Sequence, residues 1–387
     1  MTENEGSGLR RSPCKKGVFP IAYKVCVYAI CKNESQFVAR FLDAASEADY
    51  ICVLDTGSTD DTLAKLRGSG AIVGQAAIDP WRFDAARNES MKLIPADADI
   101  CCCVDLDERF RPGWRAALEA AWRPDTTRAR YRYVWSFLPD GGEGHVFWPD
   151  KIHKNGVYRW TRPVHEVLEY TGEGAERFVT AAGVQLDHHP DPSKSRAQYL
   201  PLLELAVRED PEDDRSSHYL GREYMYRGEW EKAIAELKRH LSLPRATWAD
   251  ERSASMRFIA RCCRRLGRDG LAAVWLHRAI AEAPHLREPY VEYAALLYDL
   301  QNWPGVVYLA NCALAITERP ASYITEAFAW GALPYDYLGI ALWHLGQADA
   351  AAEAARRAVA LAPEDERLRA NLAIFERAAL QSGDQRL

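Results

Sequence analysis

The stretch Lys24–Thr62, KVCVYAICKNESQFVARFLDAASEADYICVLDTGSTDDT, decides the fold of the first half of this chain. Lys24–Ile30 is a short apolar run rich in β-branched residues and reads as a buried strand. Glu34–Ala48 places Phe37, Val38, Phe41, Leu42 and Ala45 at helical spacing. Tyr50–Leu54 is a second buried strand, and Asp60–Ser69 a short helix with Thr59 or Asp60 as its cap. A strand, a helix and a strand in this order make a βαβ unit with parallel strands. The pattern continues with a third strand at Ala71–Val73, a helix over Asp84–Ile94 capped by Asp84, and a strand at Ile100–Val104. From Arg130 to about Leu186 it changes to short aromatic-rich strands and loops, which suit a mixed sheet completing the same domain.

The 387 residues suffice for two domains, and 48% hydrophobic with 27% charged residues is an ordinary globular composition. A net charge of -6 argues against a protein that grips nucleic acid through a basic surface. The polar start, MTENEGSGLRRSPCKKG, has no apolar signal core, and no apolar run approaches a membrane span. The 10 cysteines include the adjacent Cys101–Cys103 and Cys262–Cys263 but no CxxC pair, so they read as small core hydrophobes of a reducing compartment, the cytoplasm.

From about Ser195 the chain reads as helix. Four units share offsets: Leu220, Gly221, Tyr224, Gly228, Ala233; then Ile259, Ala260, Cys263, Gly267, Ala272; then Tyr293, Ala294, Leu297, Gln301, Val306; then Leu338, Gly339, Leu342, Gly346, Ala351. These match the 34-residue tetratricopeptide pattern, in which small residues let antiparallel helices approach closely. Uneven spacing predicts inserted loops near Pro244–Asp250 and Arg319–Trp330, and Glu364–Leu380 reads as a capping helix. The expected division is a tail over 1–21, an α/β domain over 22–192 and a helical-repeat domain over 193–387.

Four segments carry the chemistry. Ile30–Ser35 (ICKNES) ends the first strand and Val53–Thr62 (VLDTGSTDDT) ends the second. In parallel sheets ligands bind beyond the carboxyl ends of strands, where a carboxylate accepts from a base or ribose. Phe83–Ser90 (FDAARNES) puts Arg87 in a first helical turn, able to pair with a phosphate or a site carboxylate. Cys102–Glu108 (CCVDLDE) runs an apolar strand into Asp105, Asp107 and Glu108. Carboxylates at a buried strand end are costly unless they meet a cation or donors, and oxygen ligands there suit Mg²⁺ or Mn²⁺ carrying a diphosphate.

CKNES, VLDTGSTDDT, FDAARNES and DLDE in this order resemble a family 2 glycosyltransferase of the GT-A fold, over roughly Lys24–His189. With the repeats, the whole is similar to the bacterial peptide S-/O-glycosyltransferases of the sublancin type. The resemblance implies a Rossmann-like nucleotide-sugar sheet followed by an all-α tetratricopeptide domain, and inversion by one direct displacement. It implies Asp55 on the base (usually uracil), Asn33, Glu34 and Ser58 along the nucleotide sugar, and Arg87 near the base or diphosphate. It also implies Asp105 toward ribose and metal, and Asp107 as ligand of Mn²⁺ or Mg²⁺. For the base of the displacement the sequence offers Arg162–Glu166 (RPVHE), with Glu166 as base and His165 as its neighbour or an acceptor contact. The Glu-Asp pair of better-studied members is absent there. Either His188 or His189 is available as a late metal ligand. Trp135, Trp148 and Trp160 read first as core.

The expected partners are a nucleotide-sugar donor, UDP-sugar favoured, and a peptide or protein acceptor, with the repeat groove as a place for it. Tyr219, Tyr226, Trp230, Trp248 and Trp303, with Arg222, Arg261, Arg264 and Arg265, would line such a groove; the repeats would otherwise pair two protomers or brace the domain. The function expected is transfer of a hexose or N-acetylhexosamine to Ser or Cys. The rivals are a surface-glycan or lipid-linked acceptor, and a non-catalytic repeat scaffold with a vestigial first half.

Overall fold

The structure, a computed structural model, describes residues 23–138, 141–191 and 197–384. The expected tail over 1–21 lies outside the described residues. The first half runs β1 (Val25–Cys31), α1 (Val38–Ala45), β2 (Tyr50–Asp55), α2 (Thr62–Arg67), β3 (Ile72–Gln75), α3 (Phe83–Met91), β4 (Ile100–Cys103), β5 (Glu108–Phe110) and α4 (Trp114–Ala121). Then come β6 (Arg128–Val134), β7 (Val146–Phe147), β8 (Ile152–Lys154), β9 (Tyr158–Thr161), β10 (Val167–Tyr170) and β11 (Phe178–His188). Nine strands form one mixed sheet in the order β3-β2-β1-β4-β8-β6-β11-β5, with β7 on β6; β9 and β10 make a separate hairpin. β1 to β4 are parallel, so their carboxyl ends share one edge.

Every residue of β1 is buried, and the strand serves two cores. Val25, Val27 and Ala29 pack with Phe41 of α1, Leu66 of α2 and Trp114 of α4. Cys26 and Tyr28 pack on the other face with Met91 of α3 and with Trp160 and Leu168 of the hairpin. A strand covered on both sides cannot alternate, which is why it reads as one apolar run. Eight of the nine described cysteines are buried and all nine are unpaired.

Local details depart from the sequence reading. The first helix is shorter than Glu34–Ala48, because Glu34–Phe37 close a turn in which the Phe37 N–H donates to the Glu34 carbonyl (2.9 Å). Asp84 does not cap α3: the cap position is Arg82, and Asp84 instead accepts two hydrogen bonds of 2.7 Å from its guanidinium.

The second half is α5 (Tyr199–Glu209), α6 (Asp214–Tyr226), α7 (Trp230–Ser242), α8 (Ala249–Arg265), α9 (Asp269–Glu282), α10 (Glu288–Asp299), α11 (Trp303–Ala315), α12 (Leu333–His344), α13 (Ala348–Leu361) and α14 (Glu366–Asp384). The four sequence units are the hairpins α6/α7, α8/α9, α10/α11 and α12/α13. The small residues sit where these helices touch. Ala233, Ala272 and Ala351 are completely buried, and a Cβ added at Gly221 would lie 2.6 Å from Leu237 Cγ of α7. The expected loops are the connections over 243–248 and 316–332. The longer one folds back onto the array: Tyr323 donates to Glu251 of α8, and Glu326 accepts from Arg257 and Arg261 of α8.

This corrects the proposed groove lining. Tyr219 is buried. Arg261 is tied to Glu292 and Glu326 and Arg264 to Asp299, so neither is an unpaired cation waiting for an acidic peptide. Tyr226 and Trp248 remain exposed. Among the described residues, no helix is long and apolar enough to cross a membrane.

The two halves share a small core in which Val164 packs with Leu202 and Leu203 of α5 and Tyr219 and Leu220 of α6. Charged pairs flank it, Arg162 to Asp213 at 2.7 Å and Arg82 to Glu209 at 2.8 Å.

Two outcomes follow for stability. Gly221→Ala forces the new methyl group against Leu237 and its backbone nitrogen, and urea denaturation is expected to show a loss of about 1–3 kcal/mol. The second concerns acid. In β8 the fully buried His153 contacts Tyr28 Oη (2.8 Å) through Nε2 and the Lys154 carbonyl (2.9 Å) through Nδ1. The carbonyl can only accept, so Nδ1 carries the proton, while Tyr28 donates to Nε2 and accepts from Trp160 Nε1 (2.9 Å). Burial pushes His153 down to about 4 and, in α6, His218 down to about 3. Below pH ~6.5 the unfolded chain therefore binds protons that the folded chain refuses, and stability falls as pH drops toward 4. For His153 the full loss is about 3 kcal/mol, and denaturation midpoints from pH 7 to 4 should decline less steeply in His153→Asn.

Candidate active site

The parallel strands deliver their loops to one place. Asp55 ends β2 beside Cys31 of β1 and Gln75 of β3. Its carboxylate is fully buried and accepts from the backbone N–H groups of Gly57 (3.1 Å) and Ser58 (3.1 Å). Burial would raise its pKa, but the Ser58 hydroxyl and these backbone donors outweigh that and hold it below the usual range. Gly57, at φ +106°, supplies a turn that a side chain would strain. Asn33, also in the left-handed region, crosses to the same loop: its N–H donates to Ser58 Oγ (2.9 Å) and its Oδ1 accepts from the Thr59 N–H (2.7 Å). The Glu34 N–H donates to Thr62 Oγ1 (2.8 Å), and the Glu34 residue is buried. The two loops expected to flank a nucleotide are thus laced together.

Arg87 is the hub of the site. It lies in the second turn of α3, one turn later than the sequence reading placed it because the helix begins at Phe83, and its side chain is only 4% exposed. Nε donates to Glu166 Oε1 at 2.5 Å, Nη2 to Asp105 Oδ1 at 2.9 Å and Nη1 to Cys103 Sγ at 3.0 Å. Its guanidinium also lies 5.3 Å from the centre of the Trp160 ring, which is buried core. Of the two partners anticipated for Arg87, the structure shows the carboxylates. Glu166 lies in the loop between β9 and β10, caps no helix, and has a side chain only 10% exposed. His165, adopting φ +51°, points elsewhere: its ring stacks on Tyr219 of α6, centroids 4.0 Å apart. It belongs to the junction between the halves rather than beside the Glu166 carboxylate.

The acids after β4 do not continue as a strand. The Glu108 N–H donates to the Asp105 carbonyl (3.0 Å), closing a turn in which Asp105 and Asp107 have different partners. Asp105 faces Arg87; burial opposes its charge, but Arg87 and Lys151 hold its carboxyl well below the usual range. Asp107 faces His188, with Oδ2 3.6 Å from Nε2. His188 Nδ1 contacts the Trp135 carbonyl at 3.0 Å, which orients the ring as metal-ligating imidazoles are oriented. Burial opposes protonation of His188, yet Asp107 raises its pKa. His189 instead stacks on Phe137, centroids 5.1 Å apart. Of the two late histidines, His188 is the one brought to an acid.

Asp107 and His188 fit a hard divalent ion. Adjacent ligands of an octahedral ion with bonds of about 2.1 Å lie about 3 Å apart, near the observed gap, and such ions keep several waters or phosphate oxygens. Two protein donors leave room for those. Trp135, exposed and in ring contact with His188 at 6.0 Å, is not a core residue.

Sequence reading missed two cations here, Lys151 and Arg40, and gave Glu108 no role of its own. Glu108 is buried, accepts from Tyr133 Oη (2.6 Å) and from the Asp105 N–H (2.9 Å), and braces the turn; burial raises its pKa. Lys151 stays protonated despite burial because Asp105 and Glu108 face it. Arg40 of α1 reaches the carbonyls of Asp107 and His189, each at 3.5 Å. Lys151 stands alone in WPDKIH and Arg40 reads as a surface position of α1, so neither carried a signal beyond its charge.

Removing Arg87 would leave Glu166 and Asp105 without their common cation. Arg87→Met is expected to lower stability by about 3 kcal/mol, while Arg87→Lys recovers part of it because one ammonium cannot span all three acceptors. Urea denaturation of both variants checks this.

No protein-family model matches the chain. Solved structures similar to part of it include the APC/C Cut9–Hcn1 hetero-tetramer, at 17% identity and TM-score 0.38, covering 46% of this chain and 33% of that one. MamA 41-end from Desulfovibrio magneticus RS-1 is similar at 17% identity and TM-score 0.35, covering 44% of this chain and 92% of that one. YrrB, described as a TPR protein with an unusual peptide-binding site, is similar at 15% identity and TM-score 0.35, covering 46% and 82%. At these values the account of the helical half rests on its own hairpins and small-residue contacts.

Proposed function

We propose that this chain is a metal-dependent inverting glycosyltransferase that moves a hexose or N-acetylhexosamine from a UDP-sugar to a Ser or Cys of a peptide. The observation that carries the reading is the convergence at one sheet edge of the Asp107–His188 pair, the Arg87–Asp105–Glu166 cluster and the laced loops of Asn33 and Asp55.

In this reading Asp107 and His188 hold Mn²⁺ or Mg²⁺, with Asp105 beside them. Such an ion neutralises the leaving diphosphate. The Asn33–Ser58 loops receive the nucleoside, and Lys151 adds a fixed positive charge beneath the acids. The acceptor oxygen or sulfur attacks the anomeric carbon from the face opposite the diphosphate. Its proton passes to Glu166 as the bond to the diphosphate breaks. Arg87 keeps Glu166 in place for that step. The helical half, joined to the Glu166 loop through Val164 and His165, is the surface nearest the acceptor side.

A second reading is a peptide-binding scaffold whose first half no longer turns over. One observation favours it: Glu166 Oε1 is already engaged by Arg87 at 2.5 Å, as a purely structural carboxylate would be.

Release of UDP from UDP-sugars, with Mn²⁺ and with EDTA, separates the two. The transferase reading expects metal-dependent release that falls by two orders of magnitude or more in Asp107→Asn, the scale of lost charge stabilisation. Absence of both release and UDP binding favours the scaffold.

A further inference from the structure

The helical half contains a cluster that the sheet-edge chemistry does not use. His218 of α6, His240 of α7 and Glu251 of α8 are all buried, and each offers a ligand atom within 4.8 Å of the other two. We propose that these three residues form a second metal site, of the zinc type, inside the helical repeats.

Four observations carry it. First, His240 is completely buried and its Nε2 makes no hydrogen bond, an unpartnered ring nitrogen aimed into the cluster. Second, that atom lies 3.4 Å from Glu251 Oε1. A tetrahedral zinc with bonds of about 2.1 Å has ligand–ligand edges of about 3.4 Å. Third, the Nδ1 atoms of both histidines contact one hydroxyl, Ser255 Oγ, at 2.7 Å for His218 and 2.9 Å for His240. A hydroxyl oxygen accepts two hydrogen bonds, so both rings can carry their proton on Nδ1 and keep Nε2 free as a ligand. Fourth, Tyr323 donates to Glu251 and orients it. Two imidazoles and a carboxylate are a zinc donor set that leaves one position open. A cavity of about 70 Å³, lined by His218, Phe258 and Tyr323 among others, adjoins the cluster on its His218 side.

The competing arrangement has no ion. Arg215, whose guanidinium lies over the Tyr219 and Tyr323 rings, then faces the charge of Glu251. A bound ion would join α6, α7 and α8 at one point and, through Tyr323, fix the 316–332 connection across them.

The test uses the full chain, loaded with Zn²⁺ and dialysed, with metal content measured by mass spectrometry. One zinc per chain is expected, retained against excess Mg²⁺, lost in the His240→Gln/Glu251→Gln double variant and kept in Asp107→Asn. Ser255→Ala should weaken zinc binding about 10–100-fold. Should the double variant fail to fold, Co²⁺ bound to the unaltered chain decides: visible absorption of a tetrahedral ion without a thiolate-to-cobalt band is expected. A chain that retains no zinc, a double variant that retains it equally, or a thiolate band would each overturn the assignment.

Discussion

Everything at the sheet edge depends on the burial of one guanidinium. Arg87 cannot be taken out of water without partners, and its planar fork meets three acceptors at once: Glu166, Asp105 and Cys103. These come from the β9–β10 loop, the turn after β4 and β4 itself. One side chain therefore registers the hairpin against the main sheet and fixes where the acids stand. Cys103 is the weakest of the three acceptors, because burial keeps it a neutral thiol, its pKa pushed up to about 11.

The same loop carries the helical half. Arg162 and His165 take left-handed backbone conformations on either side of Val164, which turns Val164 and His165 toward α5 and α6 while Glu166 turns back to Arg87. Strain at two residues persists only where the surroundings over-determine it, and here an apolar core, a stacked ring and two ion pairs do so. The orientation of the repeats is thereby coupled to the position of the candidate base. The 316–332 connection adds a second tie within the repeats, since Tyr323 and Glu326 engage α8 from outside its own hairpin. Glu251, Arg257 and Arg261 of α8 are thus already engaged by the chain's own residues.

The site was partly legible. Asp55, Asp105 and Asp107 were named from strand ends, Arg87 from a helical turn, and His188, with His189 as its alternative, from the family resemblance; the fold brings Asp55, Arg87, Asp105, Asp107 and His188 to one edge. Which of His188 and His189 meets Asp107 was not legible, because neighbouring residues at a strand end differ only in the direction each side chain takes. His165 was placed beside Glu166 on adjacency alone, yet its backbone conformation sends the ring to Tyr219. Lys151 and Arg40 were invisible as site residues, because a single cation in a strand or helix acquires meaning only from the acids packed against it. The His218–His240–Glu251 cluster joins three helices, and no spacing within one segment announces it.

What the sequence determined by itself was order and periodicity: parallel strands separated by helices, then helical hairpins whose small residues demand close approach. Those follow from local patterns of apolar and small side chains, which any fold of this chain must bury. What only the tertiary structure decided was pairing. Arg87 with Glu166, Asp107 with His188 and His240 with Glu251 are contacts between different elements, set by the direction of each side chain where elements pack. Charges and ligands far apart in sequence have no preference for one another until burial removes water and leaves each with the partner beside it.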